Sequence, residues 1–145
     1  MFLDASAVVA ILGREESAPI LLDKIQAVGP PTYYSPMVVF EAVIALARQR
    51  KTAAYGEHAP TPAYLIEEEQ SIVDDFFVQI GAIEIPLETG AHKTALEAAK
   101  VYGRFVGHPA ALNFGDCFSY ASAKTLGSQL LFVGNDFSRT DIEIA

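Results

Sequence analysis

Two stretches of this chain, Met1-Phe2-Leu3 and Leu130-Leu131-Phe132-Val133, are apolar throughout and too short to be buried helices. Strands of that kind, apolar on both faces, belong inside a parallel sheet covered by helices on either side. Between them the pattern supplies the helices. Ala5 to Leu12 is a nearly unbroken, alanine-rich apolar segment, and Ser17 to Ala27 carries Ile20, Leu21, Leu22 and Ile25 at amphipathic spacing before Gly29-Pro30-Pro31 stops it. Thr32-Tyr33-Tyr34 is short and β-prone, and Ser35-Pro36 reads as an N-cap followed by proline at the first helical position. The helix it opens is expected to run to about Lys51.

From Thr52 to Pro62 the chain is loop-like, with Gly56, Pro60 and Pro62, so that a helical hairpin can project there. Ala63 to Gly81 reads as a helix with Ile66, Ile72, Val73, Phe76, Phe77 and Ile80 inward and Glu67-Glu68-Glu69 outward. Ala82 to Ile85 alternates like a strand. Thr89 to about Tyr102 is an alanine-rich helix, Gly103 to Pro109 a flexible loop, and Ile142-Glu143-Ile144 a short edge strand. The class is therefore α/β, built as one domain over residues 1–145.

Bulk properties narrow the function. At 145 residues, 51% hydrophobic and 19% charged, the chain is long enough to bury a core without disulfides or metals. Its net charge of −8 argues against bulk phosphate neutralisation as a way of holding nucleic acid, yet leaves room for an enzyme that touches RNA through a metal and a few local cations. An acidic body also suits a basic peptide partner. The lone Cys117 forms no internal disulfide, so a reducing, cytoplasmic setting is expected. Neither a cationic, apolar leader nor a run approaching about 18 apolar residues is present, and no membrane role is expected.

Four acids stand at the ends of apolar runs or just inside the helices that follow them. Asp4 follows the first strand and Asp136 the turn Gly134-Asn135 after the last. Glu41 is the only charge in the apolar helical stretch from Met37 to Ala47, and Asp116 falls in the first turn of the helix that Asn113 or Gly115 can cap. In a parallel sheet all four reach the carboxyl edge, where ligand sites form near the reversal of strand order. Converging carboxylates without matching cations repel one another, and a hard divalent cation such as Mg²⁺ or Mn²⁺ resolves this. Such an ion can activate water and stabilise in-line displacement at phosphorus, which makes phosphodiester hydrolysis the natural reaction class.

Each acid also has a structural alternative. Asp4 can be an N-cap, Asp116 a dipole-complementing residue, Asp136 a turn residue and Asp141 a solvated or capping acid. Ser6 can cap locally or orient Asp4. His58, His92 and His108 lack zinc spacing, and Cys117 lacks a cue for thiolate activation. Arg14, Lys93, Arg104, Lys124 and Arg139 can meet RNA phosphate or simply be solvated.

The segments Met1-Phe2-Leu3-Asp4-Ala5-Ser6-Ala7, Phe40-Glu41-Ala42, Leu112-Asn113-Phe114-Gly115-Asp116-Cys117 through Ala121, and Phe132-Val133-Gly134-Asn135-Asp136-Phe137 to Thr140-Asp141-Ile142 resemble, in order, the PIN-domain toxins of the VapC type. The resemblance implies a three-layer α/β/α domain around a central four- to five-stranded parallel sheet. It also implies an endoribonuclease dependent on Mg²⁺ or Mn²⁺, the toxin of a type II toxin–antitoxin pair, which forms homodimers and is silenced by a VapB-like antitoxin. Relatives cut particular tRNA or rRNA sites. Carried over by position, the metal-binding acids are Asp4 and Asp116, Glu41 is a third catalytic acid and Asp136 the fourth, with Asn135 and Asp141 as competitors for that last place. The 52–62 segment carries no signature of the family.

Other classes fit less well. A phosphoacceptor receiver domain predicts paired early aspartates and a lysine after the last strand, and neither is found. A non-catalytic binding or regulatory module of the same fold predicts the loss of a central acid. A DNA nuclease stays open, because the metal chemistry does not read the sugar.

Overall fold

The computed structural model describes residues 1–145. Four short parallel strands form the sheet: β1 (Phe2–Leu3), β2 (Tyr33–Tyr34), β3 (Ile83–Glu84) and β4 (Leu130–Leu131), in the order β3-β2-β1-β4. Phe2 pairs with Leu130 on one side and Tyr33 on the other, while Tyr33 and Tyr34 pair with Ile83 and Glu84. Strand order runs outward from β1 through β3, then returns to place β4 on the opposite side of β1. The β1/β4 junction is thus the topological switch point at which open α/β sheets bind ligands. Ile144 adds a single parallel bridge to Leu130, the reduced form of the edge strand expected over residues 142–144.

Six α-helices surround the sheet: α1 (Ala5–Leu12), α2 (Ala18–Val28), α3 (Pro36–Tyr55), α4 (Ala63–Gln79), α5 (Ala91–Tyr102) and α6 (Phe114–Leu126). A cluster of 29 buried apolar residues ties them together, with Phe2, Leu3, Leu112, Leu130 and Leu131 essentially inaccessible. The central strands are apolar because both faces of the sheet are covered. No helix is long and apolar enough to cross a membrane.

Two expectations are corrected and a third, the Ser35 N-cap with Pro36 after it, holds in position. Helix α3 does not stop near Lys51 but continues through Thr52-Ala53-Ala54 to Tyr55, into the segment expected to be loop. Gly56, at φ 87°, ends it, and the Lys51 ammonium donates to the Glu57 carbonyl just beyond, at 2.7 Å. In α4 the buried stripe is Leu65, Glu69, Val73, Phe76 and Phe77, so Glu69 faces inward and Ile72 outward. A buried carboxylate needs a partner, and Arg50 of α3 provides it at 2.7 Å. Finally, Ser35 occupies the N-cap of α3 without making the capping hydrogen bond; its Oγ is buried and has no partner. The 103–109 loop also contains one 3₁₀ turn, Arg104–Val106.

Candidate active site

Asp4 is the residue at which β1 becomes α1. Its extended backbone makes it the N-cap, and its Oδ2 accepts from the Ser6 backbone N–H at 2.9 Å and the Ser6 hydroxyl at 2.6 Å. Ser6 Oγ in turn accepts from the Val133 N–H at 3.0 Å, and Asp4 N–H donates to Leu131 O at 2.9 Å. Capping and orienting are therefore one arrangement. Ser6 ties Asp4 to the end of β4, and the side chain is held, 3% exposed, at the switch point.

Asp116 is fixed by a capping box. Asn113 Oδ1 accepts from the Asp116 N–H at 3.1 Å, and Asp116 Oδ2 accepts from the Asn113 N–H at 2.7 Å. Of the two caps open from sequence, Asn113 is the one used. Gly115 has a separate role, since a Cβ there would overlap the Glu41 carboxylate. Helices α3 and α6 approach through that missing side chain. It sets Glu41 against the first turn of α6, beside Asp116.

The electrostatics show that the acids share one neighbourhood. Glu41 is pushed up to about 7, first by burial and then by the charges of Asp4 and Asp116. Asp116 is pushed up to about 6 by burial and by Asp4 and Asp136, although the Asn113 N–H and the Arg104 charge pull the other way. None of the four acids is in an ion pair; the chain's four ion pairs all lie elsewhere. No three of the chain's His, Cys, Asp and Glu side chains converge tightly enough to form a ready coordination sphere.

Asp136 is exposed, in the turn after β4 that opens the 3₁₀ segment Phe137–Arg139. Phe137, 2% exposed and packed edge-on against Phe132, anchors that turn to the core. Asn135 spends its carbonyl on the Ser138 hydroxyl. Asp141 is drawn away altogether: it accepts from the Tyr120 hydroxyl at 2.6 Å and pairs with Lys124 at 2.8 Å, which holds its carboxyl down at about 2. The structure thus groups Asp4, Glu41, Asp116 and Asp136 and leaves Asp141 outside. Gly115 was not visible as a site residue in the sequence; a glycine inside the first turn of a helix was its only signal.

A family model, the PIN domain, matches residues 1–143. A VapC ribonuclease of Rhizobium meliloti is 42% identical over 141 residues, covering 97% of this chain and 98% of that protein. Ribonuclease VapC42 of Mycobacterium tuberculosis is 34% identical over 145 residues, covering 100% and 98%. Among solved structures, the Mycobacterium tuberculosis VapC20 toxin, which cleaves the sarcin-ricin loop, superposes with a TM-score of 0.64 over 99% of this chain and 97% of that one. At 15% identity, that likeness speaks for the fold. Matched from end to end in sequence and shape, the chain belongs to the PIN-domain family, among its VapC members.

Proposed function

We propose that this protein is a metal-dependent endoribonuclease, the toxin of a type II toxin–antitoxin pair, acting in the cytoplasm as a single-domain chain. The observation that carries the reading is the group of four carboxylates at the β1/β4 switch point, free of ion pairs, with Glu41 and Asp116 held above their ordinary range by burial first and then by neighbouring carboxylates. The donor set is all hard oxygen, which fits Mg²⁺ or Mn²⁺ and not a soft metal. Asp4 and Asp116 would hold the ion; each gives only its Oδ2 to local hydrogen bonds. When bound, a divalent cation supplies the Lewis acidity that activates water and neutralises charge at a phosphodiester.

The protein's own residues do the rest. Ser6 and the Asn113 capping box orient Asp4 and Asp116 through short hydrogen bonds. Glu41, set by Gly115 against the first turn of α6, adds a third carboxylate beside the two that would hold the ion. Asp136, exposed at the rim, adds the fourth charge. The names of the relatives, VapC ribonucleases, support RNA as the substrate; a VapB-like antitoxin as partner and a homodimer as the working assembly are carried by the family resemblance alone. A binding module of this fold would do without at least one central acid, whereas Asp4, Glu41 and Asp116 all stand in the group.

The test is incubation of purified, antitoxin-free protein with total RNA in Mg²⁺ or Mn²⁺, with EDTA and Asp116→Asn as controls. Discrete fragments that vanish in both controls are expected, and end-mapping of them identifies the target. Fragments that persist unchanged in Asp116→Asn would overturn the site assignment.

A further inference from the structure

The turn that carries Asp136 is tied at one end to Asp4 and at the other to the helix that presents Asp116. At its start the Val133 N–H donates to Ser6 Oγ at 3.0 Å, and the Ser6 hydroxyl passes the link to Asp4 Oδ2 at 2.6 Å. At its end Asp141 is gripped from α6. The Tyr120 hydroxyl donates to Asp141 Oδ1 at 2.6 Å, while the Lys124 ammonium donates to Oδ2 at 2.8 Å and to the Asp141 carbonyl at 3.2 Å. Asp116, Tyr120 and Lys124 follow one another at four-residue steps along α6, which lines them up on one face.

Between its two ends the turn is stiffened from within. Phe137 is buried against Phe132, the Ser138 hydroxyl donates to the Asn135 carbonyl at 2.9 Å, and the Thr140 hydroxyl donates to the Phe137 carbonyl at 2.8 Å and accepts from the Ile142 N–H at 3.2 Å. Asp136 is exposed and makes none of these bonds, yet its charge is felt at Asp116. Closing the edge of the sheet does not require the grip on Asp141. The Leu130 N–H to Glu143 carbonyl bond at 2.9 Å, the Ala145 N–H to Leu130 carbonyl bond at 3.1 Å and the Gln129–Glu143 side-chain bond at 2.7 Å already hold that edge. Nor does the ion pair add much stability, since the Lys124 and Asp141 side chains are 36% and 57% exposed. What the grip does fix is the place of residues 134–140 relative to α6.

We infer that Tyr120, Lys124 and Asp141 form a clasp that positions Asp136 for the metal-dependent reaction, holding its turn at a set place beside Asp4 and Asp116. The inference rests on the nuclease reading and deepens it: Asp141 stands outside the acid group and acts on that group through Asp136. Tyr120, Lys124 and Asp141 are positioning residues; they take no part in the chemistry.

The test is a double-mutant cycle on the intact, RNA-free chain. Mn²⁺ is titrated calorimetrically into wild type, Asp136→Asn, Asp141→Ala and the double variant, and backbone amide exchange over residues 134–140 is recorded for each. Asp141→Ala is expected to weaken Mn²⁺ binding about tenfold, as Asp136→Asn does, and to speed exchange in the turn while α6 stays protected. A clasp that acts only through Asp136 adds nothing once that carboxylate is gone, so the double variant should bind Mn²⁺ like Asp136→Asn alone. Tyr120→Phe keeps the ring and loses one bond of the clasp, and should fall between wild type and Asp141→Ala. If Asp141→Ala does not fold, Tyr120→Phe and Lys124→Gln carry the same cycle. Asp141→Ala binding as tightly as wild type, while Asp136→Asn binds weakly, overturns the clasp and leaves the nuclease reading standing. Losses that multiply in the double variant also overturn it, because a merely structural Asp141 would weaken the site without regard to Asp136. Asp136→Asn binding as tightly as wild type overturns it as well, since the turn would then carry nothing the ion feels. A wild type that binds no Mn²⁺ is the failure of the nuclease reading itself, and the clasp falls with it.

Discussion

Glu41 is where local chemistry and function meet most closely. A glutamate surrounded by Val38, Val39, Ala42 and Val43 on an apolar helix is costly to ionise, and Asp4 and Asp116 make it costlier. Glu41 and Asp116 both bind a proton more tightly folded than unfolded, so between their ordinary values and about 6 to 7 the folded state holds the extra proton. Their penalty is therefore absent at low pH, grows as pH rises through that window and is complete above about 7. In EDTA, Glu41→Gln should raise the melting temperature at pH 8 by a few degrees, on the order of 1–3 kcal/mol, and leave it nearly unchanged at pH 4. Calorimetric scans at the two pH values check this; a lower melting temperature at pH 8 would contradict it. Glu41 was legible in the sequence because a lone charge in an apolar stretch is conspicuous. The separation of Asp136 from Asp141 was not, because it depends on Tyr120 and Lys124 capturing Asp141 across the fold.

At the scale of elements, the α3–α4 hairpin shows where periodicity runs out. The stripe of α4 was read from its apolar residues, which placed Ile72 inward and the run Glu67-Glu68-Glu69 outward. The observed face includes Glu69 because Arg50, one helix away, forks between Glu68 and Glu69. No one-helix pattern can anticipate a partner on another helix. The other anchor of α4 is Phe77, 1% exposed and stacked on Tyr34 of β2 with ring centroids 3.6 Å apart. Phe77→Ala should cost about 3–5 kcal/mol in urea unfolding. Arg50→Ala, which strands Glu69 but removes an exposed side chain, should lower the midpoint distinctly less. Equal midpoints for the two variants would contradict that ranking of the two anchors. The strands were legible although each pairs over only two residues, since the apolar runs bounded by helices left a covered parallel sheet as the one consistent arrangement.

Across the whole molecule, four acids from widely separated segments reach one edge because β1 and β4 are neighbours and α3 and α6 both start near it. That convergence follows from topology, which is why it could be read before any distance was known. The close approach of α3 to α6 through Gly115 depends on side-chain packing that the linear sequence does not display. The central claim, that this edge is a divalent-metal site, is tested most directly by titrating Mn²⁺ into the RNA-free protein, Asp4→Asn and Asp116→Asn, following heat and melting temperature together. The wild type should bind Mn²⁺ and melt higher as its concentration rises, with affinity reduced tenfold or more in each variant. Equal binding by all three proteins, or a wild type that neither binds nor is stabilised, would contradict the account.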